Sequence, residues 1–230
     1  MSLLSIVIPA FNEARFIGTL LAQITALDLS ALGVTKEIIV VDDGSSDGTP
    51  AIAASVTGVI VERMPVNGGK GRAVRAGIAR SAGDFVIIQD ADLEYDPGDY
   101  IPMLQALLNG RGDAVYGSRY LGRGRYPAQS WPAYLGGRSL SVAGWLATGR
   151  YLTDTVTALK LFHRKDIAAL PLETSGFELD HEITSRMLAR GRTIAEVPIH
   201  YIPRSRAEGK KIGLRDWITA LRTFRRYRNG

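Results

Sequence analysis

The chain has 230 residues, 46% hydrophobic and 22% charged, a composition ordinary for a soluble globular protein and long enough for one α/β domain burying roughly 70% of its unfolded surface. It has no cysteine, which excludes disulfide frameworks, thiolate nucleophiles and cysteine-zinc sites. No apolar run reaches the ~18 residues of a membrane span and no signal peptide precedes the first strand, so the expected location is cytoplasmic.

The net charge of +5 is unevenly placed. Residues 204–228 hold nine Lys or Arg against Glu208 and Asp216, which is +7 and leaves about −2 for the rest. A basic tail on a near-neutral body points to a polyanion: phosphates, an anionic membrane face or nucleic acid.

Leu3 to Ile8 reads as a first buried strand ended by Pro9. Asn12 is a plausible N-cap for a helix carrying Ile17, Leu20, Leu21 and Ile24. Ile38 to Val41 is a second strand running into Asp42 and Asp43, and Asp47 or Thr49 caps a short helix. A third strand ends near Glu62; a glycine-rich turn then leads into a helix with Ala73, Ala76 and Ile78 inward. Phe85 to Ile88, four large apolar residues, is a central strand covered on both faces. A helix over Tyr100–Leu108 and a strand in DAVYGSR follow. The Gly-, Arg- and Pro-rich stretch 121–134 reads as a mobile loop, and Leu135–Gly149 as a helix containing Arg138. ALKLFHR is a strand, RKDIAAL a short helix, GFELDHEITSRMLARG a helix, and TIAEVPIHYIP closes the sheet. Alternating strands and helices imply a doubly wound, mostly parallel sheet. Its polar carboxyl edge gathers Asn12, Glu13, Asp42, Asp43, Asp90 and Asp92, and such an edge is where open α/β folds bind ligands.

The densest chemistry is in QDADLEYDP. Asp90 and Asp92 sit two apart, so an extended segment points both to one side, and Glu94 continues that side. Three hard oxygen donors suit Mg²⁺ or Mn²⁺. The competing reading is a solvated turn built on Asp96, Pro97 and Gly98. GGKGRAVRAG fits neither the Walker pattern nor GxGxxG. It is either a turn carrying Lys70 and Arg72 toward a diphosphate or one with solvated bases. His163, His181 and His200 lie in different elements without metal spacing, and His181 reads as an ordinary surface or core residue. No Gly-x-Ser-x-Gly elbow supports a hydrolase.

SIVIPAFNE, EIIVVDDGSSDGT, NGGKGRAVRAG, GDFVIIQDADLEYDP and AVYGSRY, in that order, resemble the family-2 glycosyltransferases of GT-A fold. The branch resembled is the dolichyl- or polyprenyl-phosphate mannose and glucose synthases, over about residues 4–206. The resemblance implies a catalytic domain at 1–206, with a nucleotide-sugar half (1–119) and an acceptor half (120–206), followed by a basic amphipathic tail (207–230). Pro9, Phe11 and Glu13 would line the base and ribose, with Asp42 or Asp43 on the base edge and Lys70, Asp90, Ala91 and Arg206 on the sugar diphosphate. Asp90, Asp92 and Glu94 would hold Mg²⁺ or Mn²⁺. Arg119, Arg138, Ser139 and Asp154 would receive the acceptor phosphate, and Arg204, Arg206, Lys210 and Lys211 would close over the diphosphates. Ala158 departs from the Gly or Cys frequent in relatives, and many relatives continue into membrane spans where this chain stops at Gly230.

The implied reaction moves a hexose from GDP-mannose or UDP-glucose to a polyprenyl phosphate, with inversion at C1. Catalysis is assigned to Asp90, Asp92 and Arg119. The alternative is a hydroxyl acceptor (a sugar, a phosphoglycerate or a glycan), which would need a base, Asp154 or Asp180. The tail places Leu214, Trp217, Ile218, Leu221, Phe224 and Arg228 on one helical face. It reads as an interfacial helix on an anionic inner membrane face, or as a helix packed on its own domain or on a second subunit of a homo-oligomer. No motif supports nucleic-acid binding.

Overall fold

The computed structural model describes residues 1–122, 129–203 and 214–229, the side chains of 214–216 excepted. Its core is a seven-stranded sheet of β1 (Ser2–Ala10), β2 (Val34–Asp42), β3 (Val59–Arg63), β4 (Phe85–Ile88), β5 (Ala114–Ser118), β6 (Lys160–His163) and β7 (Ile194–Pro198). The strand order is β3-β2-β1-β4-β6-β5-β7. All pairings are parallel except those of β6, which runs antiparallel to both β4 and β5. This reversal places the first residue of β6, Lys160, opposite Ile88 at the carboxyl edge of β4.

Alternation along the strands divides the core. Leu4, Ile6 and Ile8 of β1 and Phe85 and Ile87 of β4 face α1 (Ile17–Ala26) and α4 (Tyr100–Leu108). Val7, Val86 and Ile88 face α3 (Lys70–Arg80), α6 (Arg164–Ala168) and α7 (Leu179–Ala189). The short α2 (Thr49–Ala54) adds Ala53 to the first layer. α5 (Trp131–Thr148) and α8 (Leu214–Tyr227) complete the set, and α8 packs on α5 and α7.

Three expectations need correction, and one open alternative is decided. β1 does not stop at Pro9 but runs through it to Ala10. Val7 accepts from Gln89 N, so Pro9, two residues on, turns its missing N–H toward the β4 side after that pairing has ended. Asn12 does not cap α1, which starts at Ile17 after Phe16. Asn12 instead adopts a left-handed backbone, φ 55°, and its Oδ1 accepts from Ser46 N at 2.9 Å. α5 begins at Trp131, inside the expected loop, because Ser130 caps it and Pro132 suits the first turn. The apolar face of the tail helix is turned onto its own domain: Ala220, Phe224 and Tyr227 are buried. The Phe224 ring lies 4.8 Å from that of His181 and enters beside Gly144, where a Cβ would stand 3.1 Å from Phe224 Cζ. Arg222, Arg225, Arg226 and Arg228 stay exposed.

Candidate active site

The carboxyl ends of β1, β2 and β4 converge as expected, but their acids have separate tasks. Asp43, expected at a nucleotide base, accepts from Gly68 N at 2.8 Å and Gly69 N at 2.7 Å. It therefore caps the start of α3, where unsatisfied amides favour an anion. Both of its oxygens are committed. Asp42 is fully buried; its Oδ1 accepts weakly from Ser45 N at 3.3 Å. Asp42 Oδ2 accepts no hydrogen bond, although Arg63 Nε lies 3.3 Å away. Beside Asp42, Pro9 is buried and Phe11 exposed, and Glu13 N donates to Thr49 Oγ1 at 2.8 Å.

The glycine-rich turn serves packing. A Cβ at Gly71 would stand 2.5 Å from Thr174 O, and Gly71 N donates to Ser175 O at 2.7 Å. Gly69 takes φ 89°. The turn thereby delivers Lys70 to Asp90 Oδ1 at 2.7 Å and to Asp180 Oδ2 at 3.5 Å. The other oxygen of Asp180 accepts from Lys160 Nζ at 2.6 Å. Burial opposes the charge on Lys70, but Asp180 and Asp90 outweigh it and hold its pKa above the ordinary lysine value. Burial dominates at Lys160, which is fully enclosed and titrates below its ordinary value. Asp180 is held below the usual carboxylate range: burial opposes this, and Lys160 and Lys70 prevail.

After Asp90 the chain turns through Leu93, whose φ of 60° is strained for a side-chain-bearing residue. A distant segment clamps the turn. Ile202 N donates to Glu94 O at 2.9 Å, and the Tyr201 hydroxyl donates to Glu94 Oε2 at 2.6 Å. The other face of Tyr201 meets Arg119, whose guanidinium lies 5.0 Å from the ring centre.

Arg119 forms a bidentate pair with Asp154, at 2.6 and 2.7 Å. Asp154, expected at the acceptor phosphate, is wholly buried and turns both oxygens to Arg119. Glu196 of β7 in turn accepts from Thr153 N at 2.7 Å and Asp154 N at 3.0 Å. Arg138, on α5, donates to Thr153 O at 2.9 Å and to the Tyr151 hydroxyl. Ser139 accepts from Trp217 Nε1 at 2.8 Å and donates to Gly136 O. Ala158 is buried, and its N–H donates to Tyr95 Oη at 3.1 Å.

Outside this polar centre, α5 presents Trp131, Leu135, Val142, Trp145 and Leu146 to solvent, Leu146 being 77% exposed. At 3.6 residues per turn these five fall within about 100° of arc, with Arg138 among them. Arg138 is the only charged residue in α5.

Comparison with known proteins now gives the chemistry a family. The glycosyl transferase family 2 description matches residues 5–170. The chain belongs to that family. It is 30% identical over 221 residues to a dolichol-phosphate mannosyltransferase of Pyrococcus furiosus, covering 91% of this chain and 59% of that one. It is also 30% identical to a dolichyl-phosphate hexose transferase of Haloferax volcanii, over 88% of this chain and 84% of that one. Among solved structures it is similar to glucosyl-3-phosphoglycerate synthase from Mycobacterium tuberculosis with Mg²⁺ and UDP. That match has a TM-score of 0.69 and 25% identity, over 90% of this chain and 74% of the other. The fold is GT-A.

This glycosyltransferase does not assemble the expected three-carboxylate cluster. Among the described residues no three acidic or imidazole groups stand ready around one point. Of the three expected ligands Glu94 is 2% exposed and accepts from Tyr201, while Asp90 and Asp92 offer hard carboxylate oxygens beside it. Two carboxylates with phosphate oxygens and water complete an octahedral site for Mg²⁺ or Mn²⁺, so these residues fit such an ion. Arg204, Arg206, Lys210 and Lys211 lie outside the described residues.

Sequence reasoning missed Lys160, Tyr201 and Glu196. Lys160 left one signal, a lysine inside the apolar strand ALKLF.

Proposed function

We propose that this family-2 glycosyltransferase moves a hexose from a nucleoside diphosphate sugar to a polyprenyl phosphate at a membrane surface. The observation that carries the reading is α5, where Arg138, its single charged residue, is embedded in an exposed face of Trp, Leu and Val. A water-soluble acceptor gives such a face no use, since large exposed apolar patches mark contact with lipid or protein. A lipid-linked acceptor needs both parts at once: a cationic fork for its head and an apolar bed for its chain.

In this reading Asp42 takes the base edge, and Asp90 with Asp92 hold Mg²⁺ or Mn²⁺. When bound, the ion stabilises charge growing on the departing diphosphate. Lys70 adds a second positive group beside Asp90. Arg119, aimed by Asp154 and flanked by the faces of Tyr120 and Tyr201, and Arg138 grip the acceptor phosphate. A phosphate monoester has a second pKa of about 6, so the nucleophile is already ionised and needs no base. Attack from the face opposite the leaving diphosphate inverts C1. The outer face of α5 lies at the headgroup level, with the exposed arginines of α8 toward anionic lipid. Among the described residues no helix is long and apolar enough to cross a membrane, and peripheral attachment to the cytoplasmic leaflet suits that.

The structural likeness to a glucosyl-3-phosphoglycerate synthase favours a second reading, a soluble hydroxyl acceptor. That chemistry wants a base, and both candidates are occupied: Asp154 by Arg119, Asp180 by Lys160 and Lys70. One assay separates the two. Radiolabel from GDP-mannose and UDP-glucose is followed into organic-extractable lipid with polyprenyl phosphate, and into water-soluble product with 3-phosphoglycerate, each with Mg²⁺ or Mn²⁺. Labelled lipid that vanishes with chelator is the expected result; label in phosphoglycerate alone overturns the lipid acceptor. Asp90→Ala should cut metal-dependent transfer by about 10²–10³-fold. Full activity in that variant would remove Asp90 from the cation site.

A further inference from the structure

Four charged side chains form a line from the site edge into the interior: Asp90, Lys70, Asp180, Lys160. Two carboxylates and two ammonium groups sum to zero, and each contact is short: 2.7 Å, 3.5 Å and 2.6 Å in that order. The two ends differ. Lys160 has no exposed surface, starts a central strand, also donates to Thr157 O, and lies 5.0 Å from the Tyr116 ring centre. It is a fixed anchor that orients Asp180. At the other end Asp90 keeps 23% of its side chain exposed and Lys70 10%; Lys70 lies on the first turn of α3 after two glycines, and the exposed ring of Phe177 is 5.7 Å from its Nζ.

We infer that Lys70 is a resident cation at Asp90, which an incoming divalent ion displaces and which then transfers its charge to the donor diphosphate. This rests on the proposed reading that Asp90 and Asp92 take a metal. A metal–oxygen bond of about 2.1 Å and an ammonium contact of 2.7 Å cannot share Asp90 Oδ1 without bringing like charges together. Such a pair repels, and the repulsion is stronger in an enclosed site than in water. Lys160 and Asp180 cannot move to relieve this, and Lys70 can. A diphosphate beside Asp90 offers it a replacement anion, so cation and nucleotide bind cooperatively. Before the donor arrives, Lys70 keeps Asp90 paired and the site poorly receptive to metal. Lys160 and Asp180 are positioning residues in this scheme.

The test is direct Mn²⁺ binding by the full chain, read as loss of the free-ion electron paramagnetic resonance signal, with and without GDP or UDP. Lys70→Met removes the charge and keeps the length; Lys70→Gln removes the charge and keeps a donor to Asp90. Both variants should bind Mn²⁺ about tenfold more tightly than wild type without nucleotide. Both should also lose the tightening that nucleotide gives the wild type. Unchanged or weaker Mn²⁺ binding in both overturns the inference and leaves the metal site standing. If wild type takes no Mn²⁺ with either nucleotide, the metal reading of the proposed function falls instead. A thermal melt beside each titration establishes that the variant is folded, and either folded variant decides the question.

Discussion

The two halves of the carboxyl edge solve positioning differently. On the donor side the acids sit in short, regular connections and are held mainly by main-chain amides: Asp43 by Gly68 and Gly69, Asp42 by Ser45, Asp47 by Thr49. On the acceptor side the key cation, Arg119, is held by a wholly buried carboxylate and flanked by two aromatic rings. Amide-held acids are forgiving, because losing one leaves donors that water can reach. A buried ion pair is unforgiving, because losing one partner strands the other.

Breaking the acceptor side should therefore cost most. Asp154→Ala leaves Arg119 buried and unpaired and should destabilise the fold by about 3–5 kcal/mol, measured by denaturant unfolding. A loss below 1 kcal/mol would mean that Arg119 is solvated and that the two halves do not differ in this way. His181, beneath α8, comes next. Burial lowers its pKa to about 4 from the ordinary 6.5. Between those values the unfolded chain takes up a proton that the folded one refuses. The stability contributed is complete above pH 6.5 and declines as pH falls toward 4, by about 3 kcal/mol in all. Replacing His181 with Leu should flatten that part of the stability–pH curve; an unaltered slope would assign it elsewhere.

The outer face of α5 gives a smaller and purely functional effect. Leu146→Glu should weaken flotation with anionic vesicles by about 2 kcal/mol while leaving the melting temperature unchanged. Equal flotation of variant and wild type would turn attention to the arginines of α8. The smallest effect belongs to the donor side. Asp43→Ala removes a cap and should cost about 1 kcal/mol. A loss as large as that of Asp154→Ala would erase the distinction between the halves.

The donor side was legible because its code is local. An apolar run such as EIIVVDD or FVIIQDAD announces a buried strand and the acid at its end within one stretch of eight residues. What such a stretch does not announce is the partner. Asp43 looked as available as Asp42 until two glycine amides 25 and 26 residues on claimed it. Glu94 matched a metal-ligand pattern, but its partner is Tyr201, 107 residues away. The acceptor side is built almost entirely from such distant choices. The Ser130-Trp-Pro cap of α5 was readable in principle, and the Gly- and Pro-rich residues before it masked it. The tail helix was correctly amphipathic, but amphipathicity alone does not say whether lipid, a second subunit or the same domain covers the apolar face. Here α5 and α7 cover it, and the surface left bare is the one on α5.

The reversed strand β6 has a consequence for biosynthesis. β4 is four apolar residues whose second edge is closed only by β6, and Lys160 is translated 72 residues after Ile88. At about 5–20 residues per second, a nascent chain carries that bare edge for roughly 4–14 s. During that interval β5 is already available, and it is the wrong neighbour: it runs parallel to β4 in the finished sheet but never touches it. Any early β4–β5 pairing must reopen to admit β6. The step that joins the two halves of the sheet is therefore an insertion, and the time before it is when this chain is most exposed to misassembly.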